Sequence, residues 1–149
     1  MPAHKGLRIL FADDERSLQE FMRAELPSLG HEVVVCPDGR SAVKSLEKSN
    51  FDAAILDLRM PGLTGIEVLE QLKQVSPDTE VVIMTGHASM ETAIEAVRLG
   101  AFDYITKPCK LAEIEAVLRK VAEKRDLKNK NLALESRVQA AEGPTVLVG

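Results

Sequence analysis

The sequence predicts an α/β protein: a parallel five-stranded sheet with helices on both faces. Three observations carry that prediction. Five apolar runs of strand length, Leu7–Ala12, His31–Cys36, Phe51–Leu56, Glu80–Met84 and Phe102–Thr106, alternate with segments of helical period. The run Ala53–Leu56 is apolar at every position, as in a strand buried on both faces. Four runs are followed by or end in polar groups: Asp13 and Asp14, Asp57, Thr85, and Lys107.

Each element has a local reason. After the first strand, Arg16–Leu29 sets Leu18, Phe21, Met22, Leu26 and Leu29 on one helical stripe. Pro27 lies within that stripe and is expected to kink the helix or end it early. Pro37-Asp38-Gly39 marks the turn after strand two, and Ala42, Val43 and Leu46 make Ser41–Lys48 a short amphipathic helix. Strand three ends at Asp57, and Thr64 caps a helix over Ile66–Val75. Pro77-Asp78 turns into strand four. A helix from Ala88 or Ser89 to about Leu99 is closed by Gly100. Strand five leads to Leu111, where the last helix begins with a stripe of Leu111, Ile114, Leu118 and Val121. Right-handed crossovers then place helices on both faces.

The last helix is too long for one domain. Leu127, Asn131, Leu134, Val138 and Ala141 restart out of phase with 4-3-4-3 spacing, a coiled-coil seam of about two heptads. Asn131 at a core position would fix register. Gly143-Pro144 breaks the helix, and Thr145–Gly149 reads as a nascent strand. The organisation expected is a globular domain over 1–122, a helical linker over 123–142, and a tail or the start of a following domain over 143–149.

Composition narrows the function. A chain of 149 residues can bury a core without disulfides or metals. Cys36 and Cys109 fit no metal-ligand or redox spacing, which predicts reduced thiols. Nothing resembles a signal peptide or membrane span, so a cytoplasmic location is expected. Residues 1–119 hold 13 basic against 19 acidic residues, which argues against nucleic-acid binding. The basic excess after residue 119 lacks aromatic partners and reads as a solvated helix face.

Strand order 2-1-3-4-5, the flavodoxin-like (βα)5 doubly wound arrangement, would gather the four polar strand ends at one sheet edge. Asp13, Asp14 and Asp57 would then crowd three carboxylates together, a repulsion that a hard cation such as Mg²⁺ relieves. Beside that ion Asp57 becomes a plausible nucleophile toward phosphorus. Mg²⁺, the Lys107 ammonium and the Thr85 hydroxyl would each take one equatorial oxygen, and Gly86 would leave the approach open and supply an N–H. Alone, each of these residues reads as a cap, turn or surface group; together they read as one site.

The same residues carry a resemblance. Ile-Leu-Phe-Ala-Asp-Asp-Glu, Ile-Leu-Asp-Leu-Arg-Met-Pro-Gly, Val-Ile-Met-Thr-Gly-His-Ala and Tyr-Ile-Thr-Lys-Pro match the signatures of response regulator receiver domains, over residues 7 to about 122. The resemblance implies that Asp57 takes a phosphoryl group from a sensor histidine kinase. It implies Mg²⁺ bound directly by Asp14, largely through water by Asp13, and by the Arg59 backbone carbonyl. It further implies a Thr85/Tyr104 switch and a cis Lys107–Pro108 peptide. The switch would reshape a face around Ala93, Val97, Arg98, Tyr104 and Leu111. Arg59 and His87 flank the site and are expected to tune the lifetime of the phosphoryl group. The stretch from Met84 to Pro108 is similar to receivers of NtrC-type activators of sigma-54-dependent transcription. That likeness implies a homodimer and downstream ATPase and DNA-binding domains.

Two other folds fit the residues less well. A haloacid-dehalogenase-like phosphatase would place its nucleophile on strand one, with an Asp two residues later as its acid/base, whereas position 15 holds no Asp and the isolated Asp is on strand three. A dinucleotide-binding fold lacks its Gly-x-Gly-x-x-Gly turn. A free-standing phosphotransfer receiver, or one with a non-transcriptional output, remains as the alternative.

Overall fold

The structure is a computed structural model that describes the backbone of residues 6–142 and the side chains of residues 6–129. Its elements run β1 (Arg8–Ala12), α1 (Arg16–Ser28), β2 (Glu32–Cys36), α2 (Gly39–Lys48), β3 (Ala53–Leu56), α3 (Gly65–Val75), β4 (Glu80–Thr85), α4 (Met90–Arg98), β5 (Asp103–Thr106) and α5 (Leu111–Glu142). All strands pair in parallel, in the order β2-β1-β3-β4-β5. This is the flavodoxin-like sheet expected from the sequence.

Alternation along the strands sends neighbouring side chains to opposite cores. Ile9, Phe11, Ile55, Val82 and Met84 pack with Met22 and Leu26 of α1 and Ile114, Leu118 and Val121 of α5. Leu10, Ala12, Leu56, Val81 and Ile83 pack with Ala42 and Leu46 of α2, Val68, Leu69 and Leu72 of α3, and Ala96 of α4. Burying a side chain of this size contributes roughly 1.5–3 kcal/mol, so both layers bear on the position of every strand end.

Caps set the helix starts. The Asp38 carboxylate accepts from the Ser41 N–H at 2.7 Å, so α2 begins at Gly39, two residues before its apolar stripe suggests. Thr64 and Glu67 form a reciprocal capping box on α3, as do Ser89 and Thr92 on α4. Pro27 does not end α1 early. The helix continues through it to Ser28, and the chain turns at Gly30 with φ of 92°. Pro27 cannot donate to the carbonyl one turn earlier, yet the Leu29 N–H still donates to Glu25 O at 3.2 Å, so the helical path carries past the ring.

Helix α5 runs unbroken for 32 residues. Past residue 122 its basic side chains are not simply solvated, contrary to the sequence expectation. Lys124 Nζ grips both Glu80 oxygens at 3.1 and 2.9 Å. Arg125 reaches Asp52 Oδ1 at 3.0 Å and the Asp78 carbonyl at 2.7 Å, and Lys128 Nζ meets Asp78 Oδ1 at 2.8 Å. These contacts close over the amino ends of β3 and β4. Leu127 is 61% exposed. The side chains of Asn131, Leu134 and Val138, and all of 143–149, lie outside the described residues, so the seam and the nascent strand are not addressed by the structure. No described helix is long and apolar enough to cross a membrane.

Candidate functional site: an acidic pocket at the carboxyl edge of the sheet

The polar strand ends meet as the topology requires. Asp13, Asp14, Glu15, Asp57, Arg59, Gly86, His87 and Lys107 line one open pocket at the carboxyl ends of β1, β3, β4 and β5. Asp13 and Asp57 are buried, at 1% and 7% exposure, whereas Asp14 faces solvent. Ladder hydrogen bonds continue into the site: Asp57 N–H donates to Ala12 O at 3.1 Å, and Lys107 N–H to Thr85 O at 2.8 Å. Gly65, the first residue of α3, packs directly on the Asp57 backbone. A Cβ there would lie 2.3 Å from Asp57 O, so only glycine permits this approach.

Lys107 is the hub. Its Nζ lies 2.6 Å from Asp13 Oδ2, 3.0 Å from Asp57 Oδ2 and 3.7 Å from Glu15 Oε2. The Lys107–Pro108 peptide is cis. Burial disfavours the ammonium, but hydrogen bonds to Asp13 and Asp57 outweigh it and raise the Lys107 pKa. For Asp13 the balance falls the other way. Burial raises its carboxyl above the usual range, against the pull of Lys107 and the Glu15 N–H and with help from the Asp57 charge. Four acids, Asp13, Asp14, Glu15 and Asp57, share the pocket with Lys107 and Arg59, so its acids outnumber its bases.

Carboxylate oxygens from Asp13, Asp14 and Asp57 come within 4.8 Å of one another. Three hard oxygen donors at that spacing suit a hard divalent cation that retains waters, so the residues fit a Mg²⁺ ion. Arg59 lines the pocket and gives its N–H to Asp57 Oδ1 at 3.3 Å. Gly86 is also at the rim; a Cβ there would meet Lys107 Cβ at 3.9 Å, an ordinary contact, so its openness does not depend on glycine.

Two residues of the expected switch lie apart from the carboxylates. Thr85 is fully buried, and its Oγ1 accepts from the His87 N–H at 3.0 Å. Tyr104 places its hydroxyl 2.7 Å from Thr92 Oγ1 on α4. Sequence reasoning missed three residues. Glu15 borders Lys107, Gln19 Nε2 donates to the Asp13 carbonyl at 2.6 Å, and Thr92 meets Tyr104. The Ser-x-x-Thr spacing of the α4 capping box was a legible signal for Thr92; Gln19 offered none.

A parallel sheet that gathers its reactive groups at one edge, around a buried aspartate, follows the plan of a signal receiver. Residues 9–119 match the family model of the response regulator receiver domain, and the chain belongs to that family. The transcriptional regulatory protein ZraR of Escherichia coli K12 is 36% identical over 117 residues, 78% of this chain and 26% of that protein. A putative NtrX-like response regulator of Rickettsia felis is 34% identical over 134 residues, 89% of this chain and 28% of that protein. The chain thus spans about a quarter of these relatives, in keeping with the NtrC-type likeness. The crystal structure of a CheY-like receiver domain protein from Methanospirillum hungatei superposes with a TM-score of 0.76 at 28% identity, over 85% of this chain and 99% of that one.

Proposed function

We propose that Asp57 accepts a phosphoryl group from the phosphohistidine of a sensor kinase, and that the chain is a switch governed by that group. The observation that carries the proposal is the placement of Lys107 Nζ at 2.6 and 3.0 Å from Asp13 and Asp57, beside three carboxylates within 4.8 Å. In the transfer, an Asp57 oxygen forms the new P–O bond as the P–N bond breaks, and the imidazole leaves with a proton. Bound Mg²⁺, held by Asp14 and Asp57 directly, by Asp13 largely through water and by the Arg59 carbonyl, would neutralise charge on the transferring group. Lys107 moves its hydrogen bond from the Asp57 carboxylate to a phosphoryl oxygen. Thr85 turns its hydroxyl from the His87 N–H to another, the third would face the bound Mg²⁺, and the Gly86 N–H adds a further donor. Arg59 and His87, at the rim, set the access of water to the acyl phosphate.

We further propose that residues 1–122 are the receiver, 123–142 a helical linker, and 143–149 a tail or the start of a following domain. Thr85 and Tyr104 reshape the α4-β5-α5 face, and homodimerisation through that face and Leu127, Asn131, Leu134 and Val138 controls an output. The name of the transcriptional regulatory protein ZraR supports a transcriptional output; the NtrC-type likeness supports the sigma-54-dependent kind, with downstream ATPase and DNA-binding domains. Incubation with acetyl phosphate and Mg²⁺, followed by intact-mass measurement, tests the acceptor. Wild type should gain one phosphoryl group and Asp57→Asn none; incorporation into the Asn variant would overturn the assignment.

A further inference from the structure

The β4–α4 connection is held at both ends by hydroxyl groups. At its start, Thr85 Oγ1 accepts from the His87 N–H at 3.0 Å. At its end, the Thr92 N–H donates to Ser89 Oγ at 3.2 Å, and the Ser89 N–H donates to Thr92 Oγ1 at 3.2 Å. Thr92 Oγ1 also donates to the Ser89 carbonyl at 3.1 Å. A hydroxyl has one proton and two lone pairs. Thr92 Oγ1 also lies 2.9 Å from Ser89 Oγ and 2.7 Å from the Tyr104 hydroxyl, the shortest of its contacts. Whichever hydroxyl donates, the Tyr104 ring is tied to the same oxygen that caps α4.

We propose that Thr92 is the positioning residue of the switch: its hydroxyl latches Tyr104 to the α4 cap, so that a shift of the cap is coupled to release of the ring. The direction of that motion rests on the Thr85/Tyr104 reading above; the latch itself rests on the hydrogen bonds. When Thr85 turns away from the His87 N–H, residues 86–89 lose one anchor, the Ser89 cap shifts, and Thr92 releases the ring. A ligand can bias only states that differ in contacts, and this latch is a contact that one state has and the other lacks.

The chain supplies its own probe, because it contains one tyrosine and no tryptophan. Tyrosine emission and its quenching by acrylamide therefore report Tyr104 alone. The measurement compares wild type, Thr92→Val, Thr92→Ser and Ser89→Ala, each with and without beryllofluoride and Mg²⁺. Without the additives, Thr92→Val should move quenching toward the beryllofluoride-treated wild-type value, by about a fivefold change in the equilibrium, the worth of one neutral hydrogen bond. By reciprocity, its half-saturating beryllofluoride concentration should fall by the same factor. Thr92→Ser, which keeps the hydroxyl, should behave as wild type. The latch is overturned if Thr92→Val quenches like wild type, if Thr92→Ser is as perturbed as Thr92→Val, or if Ser89→Ala reproduces the whole effect. If beryllofluoride leaves wild-type emission unchanged while Thr92→Val shifts it, the switch reading fails and the latch stands.

Discussion

At the amino edge of the sheet, Asp52, Asp78 and Glu80 face Arg125, Lys128 and Lys124 of α5, one cation to each acid. At the carboxyl edge, Asp13, Glu15 and Asp57 lie within ion-pairing distance of Lys107, and Asp14 stands beside them. The residue types are the same; the arithmetic differs. Matched charges at the amino edge have no need of a further ion and fasten a helix to the body. Unmatched, buried charges at the carboxyl edge cost stability and are relieved by a cation or by a group that draws the lysine away. Charge balance thus separates a clamp from a site.

The largest effect is expected from removing the Lys107 ammonium, which Asp13, Glu15 and Asp57 share. Lys107→Ala leaves Asp13 and Asp57 buried without their shared partner and should lower unfolding stability at neutral pH by roughly 3 kcal/mol, measured by urea denaturation without divalent cations. Removing two cations from the amino edge should cost less. Lys124→Ala/Arg125→Ala is expected to lose about 1.5 kcal/mol, while the rate of phosphorylation by acetyl phosphate stays at the wild-type value.

Removing an acid from the unmatched edge should do the opposite. Asp13→Asn is expected to raise stability by roughly 1 kcal/mol at neutral pH. The raised Asp13 pKa gives the sign: the folded protein binds this proton more tightly than the unfolded chain, so ionisation costs stability as pH rises through the range above 3.8. The advantage of Asp13→Asn should accordingly vanish as pH falls toward 3.8, which a pH series of denaturation midpoints checks. The smallest effect belongs to His31, at the amino edge, whose Nδ1 accepts from the Leu7 N–H at 2.9 Å. Burial, partly offset by Glu115, lowers its pKa below 6.5. The unfolded chain then takes up that proton first, so stability should decline as pH falls below 6.5, and His31→Gln should flatten that slope.

The carboxyl edge was far more legible in the sequence than the amino edge. Asp57, Thr85 and Lys107 each follow or end an apolar run, and parallel topology places such strand ends together. The sheet order was reached as the arrangement that gathers those strand ends at one edge, and the structure has it. The clamp left no such trace: Lys124 and Glu80 are 44 residues apart, and a helix bearing Lys124, Arg125 and Lys128 reads like any solvated face. Pro27 misled as well: the helix carries its path past the ring to Ser28. The Tyr104–Thr92 bond joins two elements through side chains alone, and neither residue announces the other.

Thermal unfolding with and without Mg²⁺ shows whether the carboxyl edge is short of positive charge while the amino edge is not. The comparison is wild type, Asp14→Ala and Lys124→Ala/Arg125→Ala. At about ten times its Kd, Mg²⁺ should stabilise wild type and the clamp variant equally, by roughly 1.4 kcal/mol, and leave Asp14→Ala unmoved. An unchanged midpoint in wild type, or an equal rise in Asp14→Ala, would contradict that shortage.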